Sequence, residues 1–245
     1  MTEVAVSRDA ETSAQAAAEL FVEACAGAVA ARGRALVALT GGSSAKGFYA
    51  ALRSPRWKDR VPWAQLHFFL GDERAVPAAD RLSNQGLAAR ELFEQVSLAP
   101  AQLHCFRGDA ADLDAEARRA AEELSFVAGE PPRLDLMMLG LGSDGHILSL
   151  FAGVATSGER GDRALVLHVA APEHVEPHVG RLTMTPFLAV TARMVVLMTA
   201  GEQKAPVLSR ALKGPEDLVA CPAQWLRRAA GRVVVLADSA AASGL

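Results

Sequence analysis

The stretch that most constrains the fold of this chain runs from Leu134 to Gly153. It begins with an apolar run, Leu134 to Leu139, that only Asp135 interrupts, and it passes into a glycine-rich loop at Gly140. An apolar run without polar alternation is typical of a strand buried on both faces, as in a parallel sheet covered by helices. Open α/β sheets bind their ligands at the carboxyl ends of such strands. The sequence therefore predicts a ligand site at the loop that ends on His146.

The rest of the chain alternates between short apolar runs and longer helical patterns. The predicted strands are Ala35–Thr40, Leu66–Leu70, Leu103–Phe106, Leu134–Leu139, Ala164–Val169, Met194–Thr199 and Val233–Leu236. The predicted helical segments are Thr12–Arg32, Phe48–Leu52, Asn84–Val96 with Ser83 as its N-cap, Asp112–Val127 and Glu202–Leu212, and the segment Leu182–Ala192 is given no element type. This alternation indicates an α/β fold with a mostly parallel sheet flanked by helices. We expect a single domain over residues 1–245.

Composition excludes several classes of protein. The net charge of −3 and the pI near 6.1 provide no basic field that would hold nucleic acid or an anionic membrane surface. Three widely spaced cysteines form no pattern typical of a disulfide framework or a structural metal, which favours a reducing compartment. No apolar run approaches the roughly 20 residues of a membrane-spanning helix. The expectation is a soluble cytoplasmic protein.

The loop after Leu139 matches the pattern GxGxxG at Gly140, Gly142 and Gly145. In a dinucleotide-binding unit that pattern is followed by a crossover helix of about a dozen residues and by an acidic residue about 20 positions on. Residues 152–162 are polar and broken by glycines, and the next predicted strand, Ala164–Val169, ends without an acid. The context therefore argues against a dinucleotide.

His146 is a candidate general base, because an imidazole with a pKa near 6.5 is mostly neutral at cytoplasmic pH and can accept a proton from water. Asp144 could orient this ring or accept a proton itself. The backbone N–H groups of the loop would be free to meet an anion. In the alternative interpretation, His146 caps a short helix at Ile147–Phe151 and Asp144 satisfies turn amides. Spacing alone leaves both interpretations open.

Gly41 to Ser44 follow a predicted strand and precede a helical segment. Two glycines let the backbone approach an anion, and two hydroxyls lie near a helix N-terminus, so the segment is a candidate phosphate cradle. The GxxxxGK[ST] spacing of a P-loop is absent, which argues against a nucleoside triphosphate. An ordinary turn with a serine N-cap is the alternative.

Three cations, Arg74, Arg181 and Lys204, stand where parallel strands place ligand contacts. Each of them taken singly is more commonly a solvated surface charge. Asp72 and Glu73 directly precede Arg74, and an exposed ion pair with Arg74 would explain them equally well. These residues carry weight only as part of a larger pattern.

That larger pattern consists of several motifs in a fixed order. They are Gly41-Gly42-Ser43-Ser44, Gly71-Asp72-Glu73-Arg74 with Ser83-Asn84, Gly140-Leu141-Gly142-Ser143-Asp144-Gly145-His146 with Ser149-Leu150-Phe151, then Arg181 and Lys204. Together they resemble the 6-phosphogluconolactonases of the glucosamine-6-phosphate isomerase and 6-phosphogluconolactonase superfamily. The resemblance spans roughly Leu36 to Leu212.

The resemblance implies a cytoplasmic esterase of the oxidative pentose phosphate pathway that uses no metal and no cofactor. Its expected reaction is hydrolysis of 6-phospho-D-glucono-1,5-lactone to 6-phosphogluconate, on a Rossmann-like core without a dinucleotide. By this resemblance His146 activates water, while the substrate is held by Gly42, Ser43, Ser44, Arg74, Arg181 and Lys204. Asp72 matches a position that is acidic in the deaminases of the superfamily. The expected partner is a small sugar phosphate lactone, and the expected assembly is a monomer or weak homodimer.

The chain departs from the usual pattern of that family at three places. Ala45 stands where a proline commonly follows the serines, Ile147-Leu148 replace a more usual Thr-Ala, and Ala152 replaces a proline. These changes alter loop stiffness rather than the reacting groups.

Two other functions compete with the lactonase interpretation. A 6-phosphosugar deaminase or ketol isomerase moves a proton between C1 and C2, which requires a second carboxylate near the histidine, and no acid follows His146 until Glu159. A non-catalytic sugar-phosphate sensor would usually carry an effector segment such as a helix-turn-helix, and none is evident in the sequence. Both considerations favour the lactonase.

Overall fold

The computed structural model of the protein describes residues 2–154 and 164–245. The strands are β1 (Thr2–Ser7), β2 (Ala35–Leu39), β3 (Leu66–Leu70), β4 (Asp72–Arg74), β5 (Leu103–His104), β6 (Leu136–Gly140), β7 (Val166–Val169), β8 (Arg181–Met184), β9 (Met194–Thr199) and β10 (Arg232–Asp238). The α-helices are α1 (Ala10–Arg32), α2 (Gly42–Leu52), α3 (Asn84–Glu91), α4 (Leu113–Ala128), α5 (Pro186–Thr191) and α6 (Ala205–Lys213). Short 3₁₀ turns lie at Lys58–Arg60, Trp63–Gln65, Phe93–Gln95, Pro100–Gln102, Glu202–Lys204 and Pro222–Arg228.

Seven strands form one parallel sheet in the order β1-β10-β9-β6-β2-β3-β5. Alternate side chains of β2 enter two separate apolar clusters, with Val37 in one and Ala38 in the other. The first cluster contains most of the buried apolar residues of α1, α2 and α3, and the second contains most of those of α5 and α6. The sheet is thus covered on both faces, which confirms the prediction of a mostly parallel sheet flanked by helices.

The first helix is fixed at both ends by local chemistry. The carboxylate of Asp9 accepts a hydrogen bond from the Thr12 amide, and Gly33 ends the helix in the left-handed conformation that glycine favours. By length and composition α1 is also apolar enough to span a membrane, which the sequence analysis did not anticipate because alanine accounts for much of the apolar content. Its inner residues, Phe21 and Cys25 among them, are buried in the core.

A second, antiparallel sheet of the order β4-β8-β7 stands beside the parallel one and was not predicted. The segment Leu182–Ala192, which the sequence left without an element type, contains the end of β8 followed by α5. The predicted helix Asn84–Val96 begins at the Ser83 cap as expected, but α3 ends at Glu91. No helix forms at Ile147–Phe151, where Leu148 has a φ of 56° and Ile147 bridges to Leu150.

The missing helix removes the interpretation in which His146 is merely a helix cap. The predicted polar gap at 152–162 lies outside the described residues from position 155 onward.

Candidate active site

A cavity of about 300 Å³ opens at the carboxyl ends of the central strands. The predicted site residues that line it are Gly42, Ser43, Ser44, Asp72, Arg74, His146 and Lys204. They are joined by Ala10, Thr40, Gly41, Asn84, Gly140, Leu141, Gly142, Leu148, Thr199 and Ala200. The strands β2, β6 and β9, which lead into it, are neighbours in the sheet although they are far apart in sequence. The parallel sheet therefore brings dispersed motifs to one place.

His146 is held against Asp144 on the loop that follows β6. Its Nδ1 atom lies 2.6 Å from Oδ1 of Asp144, and its backbone N–H donates to the same oxygen at 3.1 Å. The imidazole also meets the ring of Phe151 edge-on, with the ring centroids 5.2 Å apart. These contacts fix the orientation of the ring, so that the chemistry of His146 falls to Nε2.

Asp144 is a hydrogen-bond acceptor that stays ionised. Burial raises the pKa of its carboxyl group, but the hydrogen bonds and the charge of His146, together with His174, outweigh burial and bring the pKa below its usual range. The ionised carboxylate of Asp144 accepts a hydrogen bond from the N–H at Nδ1 of His146, which leaves the lone pair of Nε2 available in the neutral ring. Of the two predicted roles for Asp144, this geometry favours orienting the imidazole.

The glycines of this loop make room for the protein's own groups. A Cβ atom at Gly142 would lie 2.2 Å from Nδ1 of His146, which is far inside van der Waals contact. The loop also closes on itself, since the Gly142 amide donates to the His146 carbonyl at 2.8 Å and the Gly145 amide donates to the Gly142 carbonyl at 3.2 Å. The expectation that the loop amides are free to meet an anion therefore does not hold for Gly142, Gly145 and His146.

The N-terminus of α2 forms the opposite wall of the cavity. Gly41 is the N-cap and provides no side-chain hydrogen bond, so the alternative of a serine N-cap is wrong. Ser43 and Ser44 lie in the first turn, whose backbone N–H groups have no partner within the helix. The combination of free amides, the positive end of the helix dipole and two hydroxyls suits a phosphate.

Asn84 connects this wall to β4 and was not assigned a role from sequence. Its Nδ2 atom donates to the carbonyl of Asp72 at 2.9 Å and to Oδ1 of Asp72 at 3.1 Å, and its Oδ1 accepts from the guanidinium of Arg74. A Cβ atom at Gly41 would lie 1.7 Å from Oδ1 of Asn84. Gly41 is therefore required here by the close approach of the Asn84 amide.

Asp72 is buried, and both of its carboxylate oxygens are already engaged. Ser149 donates to Oδ2 at 2.6 Å, and Asn84 donates to Oδ1. Each oxygen keeps a further lone pair, so the carboxylate can accept another hydrogen bond at the cavity.

Glu73 lies behind the cavity and organises its supporting structure. Its buried carboxylate accepts hydrogen bonds from the amides of Arg74, Asn84 and Gln85, each at 2.7 Å, and from the Ser83 hydroxyl at 2.9 Å. Burial raises the pKa of Glu73, and these hydrogen bonds oppose that rise. Glu73 thus joins β4 to the N-terminus of α3, so it is not the exposed partner of Arg74 that the sequence suggested.

Arg181, a predicted substrate contact, lies beside Arg74 in the antiparallel sheet. Arg74 and Arg181 are register partners in the antiparallel sheet, but only Arg74 lines the cavity. Arg181 is buried, donates to the carbonyls of Pro177, Val179 and Gly180, and lies over the ring of Phe151. Burial, followed by the charge of Arg74, lowers the pKa of Arg181. The sequence pattern could not show that the guanidinium is used to hold the 177–180 loop.

Lys204 is the second cation at the cavity, at the junction between the 3₁₀ turn and α6. Burial lowers the pKa of its half-buried ammonium group, and the charge of Asp144 opposes this shift. Within residues 2–154 and 164–245 the ammonium group makes no ion pair or hydrogen bond. A cation of this kind at a cavity wall is suited to an anionic ligand.

Thr199, the last residue of β9, is a cavity residue that the sequence analysis missed. Its hydroxyl is buried and has no hydrogen-bond partner in the described part of the chain. A threonine at the end of an apolar strand gives no distinctive sequence signal, although its position at a strand's carboxyl end is the usual one for a ligand contact. Across the described ranges, no group of three or more His, Cys, Asp or Glu side chains is arranged to hold a metal ion.

Comparison with known proteins gives a consistent result. The family model for glucosamine-6-phosphate isomerases/6-phosphogluconolactonase matches residues 8–235. A 6-phosphogluconolactonase of Streptomyces coelicolor is 36% identical over 252 residues, covering 99% of this chain and 94% of that protein. A 6-phosphogluconolactonase of Pseudomonas putida is 36% identical over 221 residues, covering 87% and 84% respectively.

Solved structures share the fold over nearly the whole chain. The 6-phosphogluconolactonase of Trypanosoma brucei superposes with a TM-score of 0.86 at 28% identity, covering 100% of this chain and 99% of that one. A monomeric glucosamine-6-phosphate deaminase superposes with a TM-score of 0.85 at 20% identity, covering 99% and 100%. The likeness to the deaminase concerns the fold alone.

Proposed function

Because the chain belongs to the glucosamine-6-phosphate isomerase and 6-phosphogluconolactonase family, we propose that it hydrolyses 6-phospho-D-glucono-1,5-lactone to 6-phosphogluconate in the oxidative pentose phosphate pathway. One observation carries this proposal: a single cavity holds His146 together with the N-terminus of α2 and the ammonium group of Lys204, which no described residue pairs with. The first group suits water activation, and the other two suit a phosphate. The proposed substrate contains both a phosphate and an ester carbonyl.

In the proposed mechanism the phosphate binds at Ser43, Ser44 and Lys204, and this contact places the lactone carbonyl near His146. Nε2 of His146 takes a proton from water as its oxygen attacks C1. The tetrahedral oxyanion then collapses, the bond from C1 to the ring oxygen breaks, and the imidazolium returns its proton to that oxygen. Water is the only co-reactant, and the products are a carboxylate, an alcohol and a released proton.

Two further side chains have proposed roles in this step. Arg74 supplies positive charge to the bound substrate as the oxyanion develops, in a site already organised by Asn84. Asp72, fixed by Ser149 and Asn84, accepts a hydrogen bond from a sugar hydroxyl. Both roles depend on groups that are in position before the substrate arrives, which reduces the cost of reorganisation.

The structure offers less support for a deaminase or isomerase. The residues that follow His146, Ile147 to Phe151, contain no acid and are buried. Asp72 is the acid among the described residues that line the cavity, and Ser149 and Asn84 hold its carboxylate in place. Glucosamine 6-phosphate therefore serves as the negative substrate in the test.

The direct test measures acid release from freshly generated 6-phosphogluconolactone. We expect turnover by the wild-type protein and a loss of roughly 10²- to 10⁴-fold in kcat for His146→Ala, because a general base contributes about that much. Binding of 6-phosphogluconate by His146→Ala should persist. His178→Ala, which changes an exposed histidine outside the cavity, is the matched control. Tight binding without turnover by the wild-type protein would instead indicate a sensor, and an unchanged kcat in His146→Ala would remove His146 as the base.

A further inference from the structure

Asp238 ends β10, the strand next to β9, and it lies outside the set of residues that line the cavity. Its side chain is only 8% exposed. Both carboxylate oxygens accept the backbone N–H of Gly201, each at 3.0 Å, and Oδ1 also accepts the N–H of Ala241 at 2.7 Å. The buried carboxylate of Asp238 thus anchors the loop that follows β9.

Gly201 passes this restraint on to Lys204. The glycine has a φ of 93°, a conformation that side-chain-bearing residues rarely adopt, and its carbonyl accepts the backbone N–H of Lys204 at 2.9 Å. The chain of contacts therefore runs from Asp238 through Gly201 to Lys204. It determines where the 3₁₀ turn Glu202–Lys204 begins and so where the lysine side chain leaves the backbone.

The position of the Lys204 ammonium group depends on this backbone, because no side chain among the described residues holds it by a hydrogen bond or an ion pair. Because the lysine side chain is flexible, its Cα must be held in place if the ammonium group is to lie at a defined distance from a phosphate. Hydrogen bonds to an ionised carboxylate are stronger than those between neutral groups, which makes Asp238 an effective anchor.

We propose that Asp238 is a positioning residue that sets Lys204 for recognition of the substrate phosphate. The inference rests on the proposed function in so far as that function assigns the phosphate to Lys204. Asp238 touches neither the cavity nor the reacting atoms, so its effect should appear in the affinity for phosphorylated ligands and not in the chemical step.

The test compares Asp238→Ala and Asp238→Asn with the wild-type protein on two substrates, 6-phosphoglucono-1,5-lactone and unphosphorylated glucono-1,5-lactone. For Asp238→Ala we expect KM for the phosphorylated lactone to rise roughly 10- to 100-fold, the scale of a misplaced binding group, with kcat within about twofold. Asp238→Asn keeps one acceptor oxygen for Gly201 and should show a smaller rise. Activity on the unphosphorylated lactone should not change.

Asp217 provides a matched control. Its carboxylate also accepts two backbone N–H groups, those of Val219 at 3.2 Å and Ala220 at 2.9 Å, in a loop that contributes nothing to the cavity. Asp217→Ala should leave the preference for the phosphorylated lactone as it is. In a double-mutant cycle, Asp238→Ala should add little to the KM of Lys204→Met, because residues that act through one another are not additive.

Several outcomes would overturn the role of Asp238. One is an equal loss of kcat/KM on both lactones, and another is an unchanged KM for the phosphorylated lactone. The third is a rise in KM that multiplies fully with the rise caused by Lys204→Met. If Asp238→Ala fails to fold, the Asn variant takes its place in each comparison.

Failure of the proposed function is a separate result, in which the wild-type protein hydrolyses neither lactone. Calorimetric affinity for 6-phosphogluconate then decides the role of Asp238. A loss in Asp238→Asn that disappears in the Lys204→Met background supports positioning, and an unchanged affinity contradicts it.

Discussion

Nδ1 of His146 lies 2.6 Å from Oδ1 of Asp144, and the second oxygen of that carboxylate lies 3.3 Å from Nε2 of His174. The carboxylate therefore holds the ring of His146 at Nδ1 and leaves Nε2, the proposed base, free of this contact. Its pKa, held below the usual range mainly by His146 against the effect of burial, keeps it ionised at neutral pH. The ionised Asp144 thus favours the tautomer of His146 that carries its proton on Nδ1.

Asp144→Asn should lower kcat by roughly 10²- to 10⁴-fold, the contribution of a general base, with little change in KM. The asparagine can turn its NH₂ group toward Nδ1 and so favour the tautomer with its proton on Nε2, where the lone pair is needed. Steady-state lactone hydrolysis measures the effect. Asp114→Asn changes the exposed pair with His168 and should have no effect. A kcat within about threefold of the wild-type value would mean that Asp144 does not control the tautomer in which His146 acts as the base.

Gly142→Ala should lower kcat about 10²-fold or more, because the added Cβ would lie 2.2 Å from Nδ1 of His146 and must displace the imidazole. The thermal unfolding midpoint should stay close to the wild-type value, since the loop lies at the edge of the cavity. Gly27→Ala, where a Cβ meets nothing within 4 Å, is the control and should leave kcat unchanged. A normal kcat in Gly142→Ala would show that the ring tolerates displacement.

The strands predicted residue for residue, β3 and β9, are strands of the parallel sheet that are buried or nearly so along their length. Met194–Thr199 matches β9 residue for residue, because a short apolar run with no polar alternation is the pattern of a strand covered on both sides. Thr2–Ser7 was missed because β1 is an exposed edge strand, and β4 was missed because three charged or polar residues give no apolar signal. Pairing with distant partners, not local preference, makes these segments strands.

The same distinction applies to the candidate site. Motif order located His146, the Ser43 loop and Lys204, because each follows a recognisable strand exit. The contacts of Arg181 and of Asn84 could not be predicted, because both depend on packing between β4, β8 and α3 that local sequence does not encode, and a substrate contact of Arg181 stays a prediction. The sequence motifs do not predict hydrogen bonds between residues that are distant in the chain.

Thr199→Val should raise the free energy of unfolding by about 1 kcal/mol and raise KM for the phosphorylated lactone roughly 10-fold. The first effect follows because a buried hydroxyl without a partner costs stability, and the second because the substrate would satisfy that hydroxyl. Denaturant unfolding and steady-state kinetics measure the two. Thr183→Val is the contrast, since the Thr183 hydroxyl accepts from the Ser149 amide and donates to the Met184 carbonyl, and its loss should destabilise the protein. Lower stability in Thr199→Val would contradict the prediction.

The affinity for 6-phosphogluconate should fall with rising pH earlier than an ordinary lysine would allow. Burial lowers the pKa of Lys204, with Asp144 opposing, so the ammonium group loses its charge as pH rises through a value below 10.5. Binding is therefore complete on the acid side of that pKa and weakens above it, while the phosphate itself stays dianionic. Calorimetric titration with the product between pH 7 and 10.5 measures the effect and avoids spontaneous hydrolysis of the lactone.

Lys204→Arg is the variant that isolates this titration. A guanidinium stays protonated over the whole range, so the alkaline loss of affinity should disappear even if the overall affinity is weaker, because arginine presents a planar fork where lysine presents a point charge. Lys213→Arg changes an exposed lysine on α6 and should keep the wild-type profile. An identical alkaline loss in Lys204→Arg would assign the titration to another group and leave the phosphate contact of Lys204 without support.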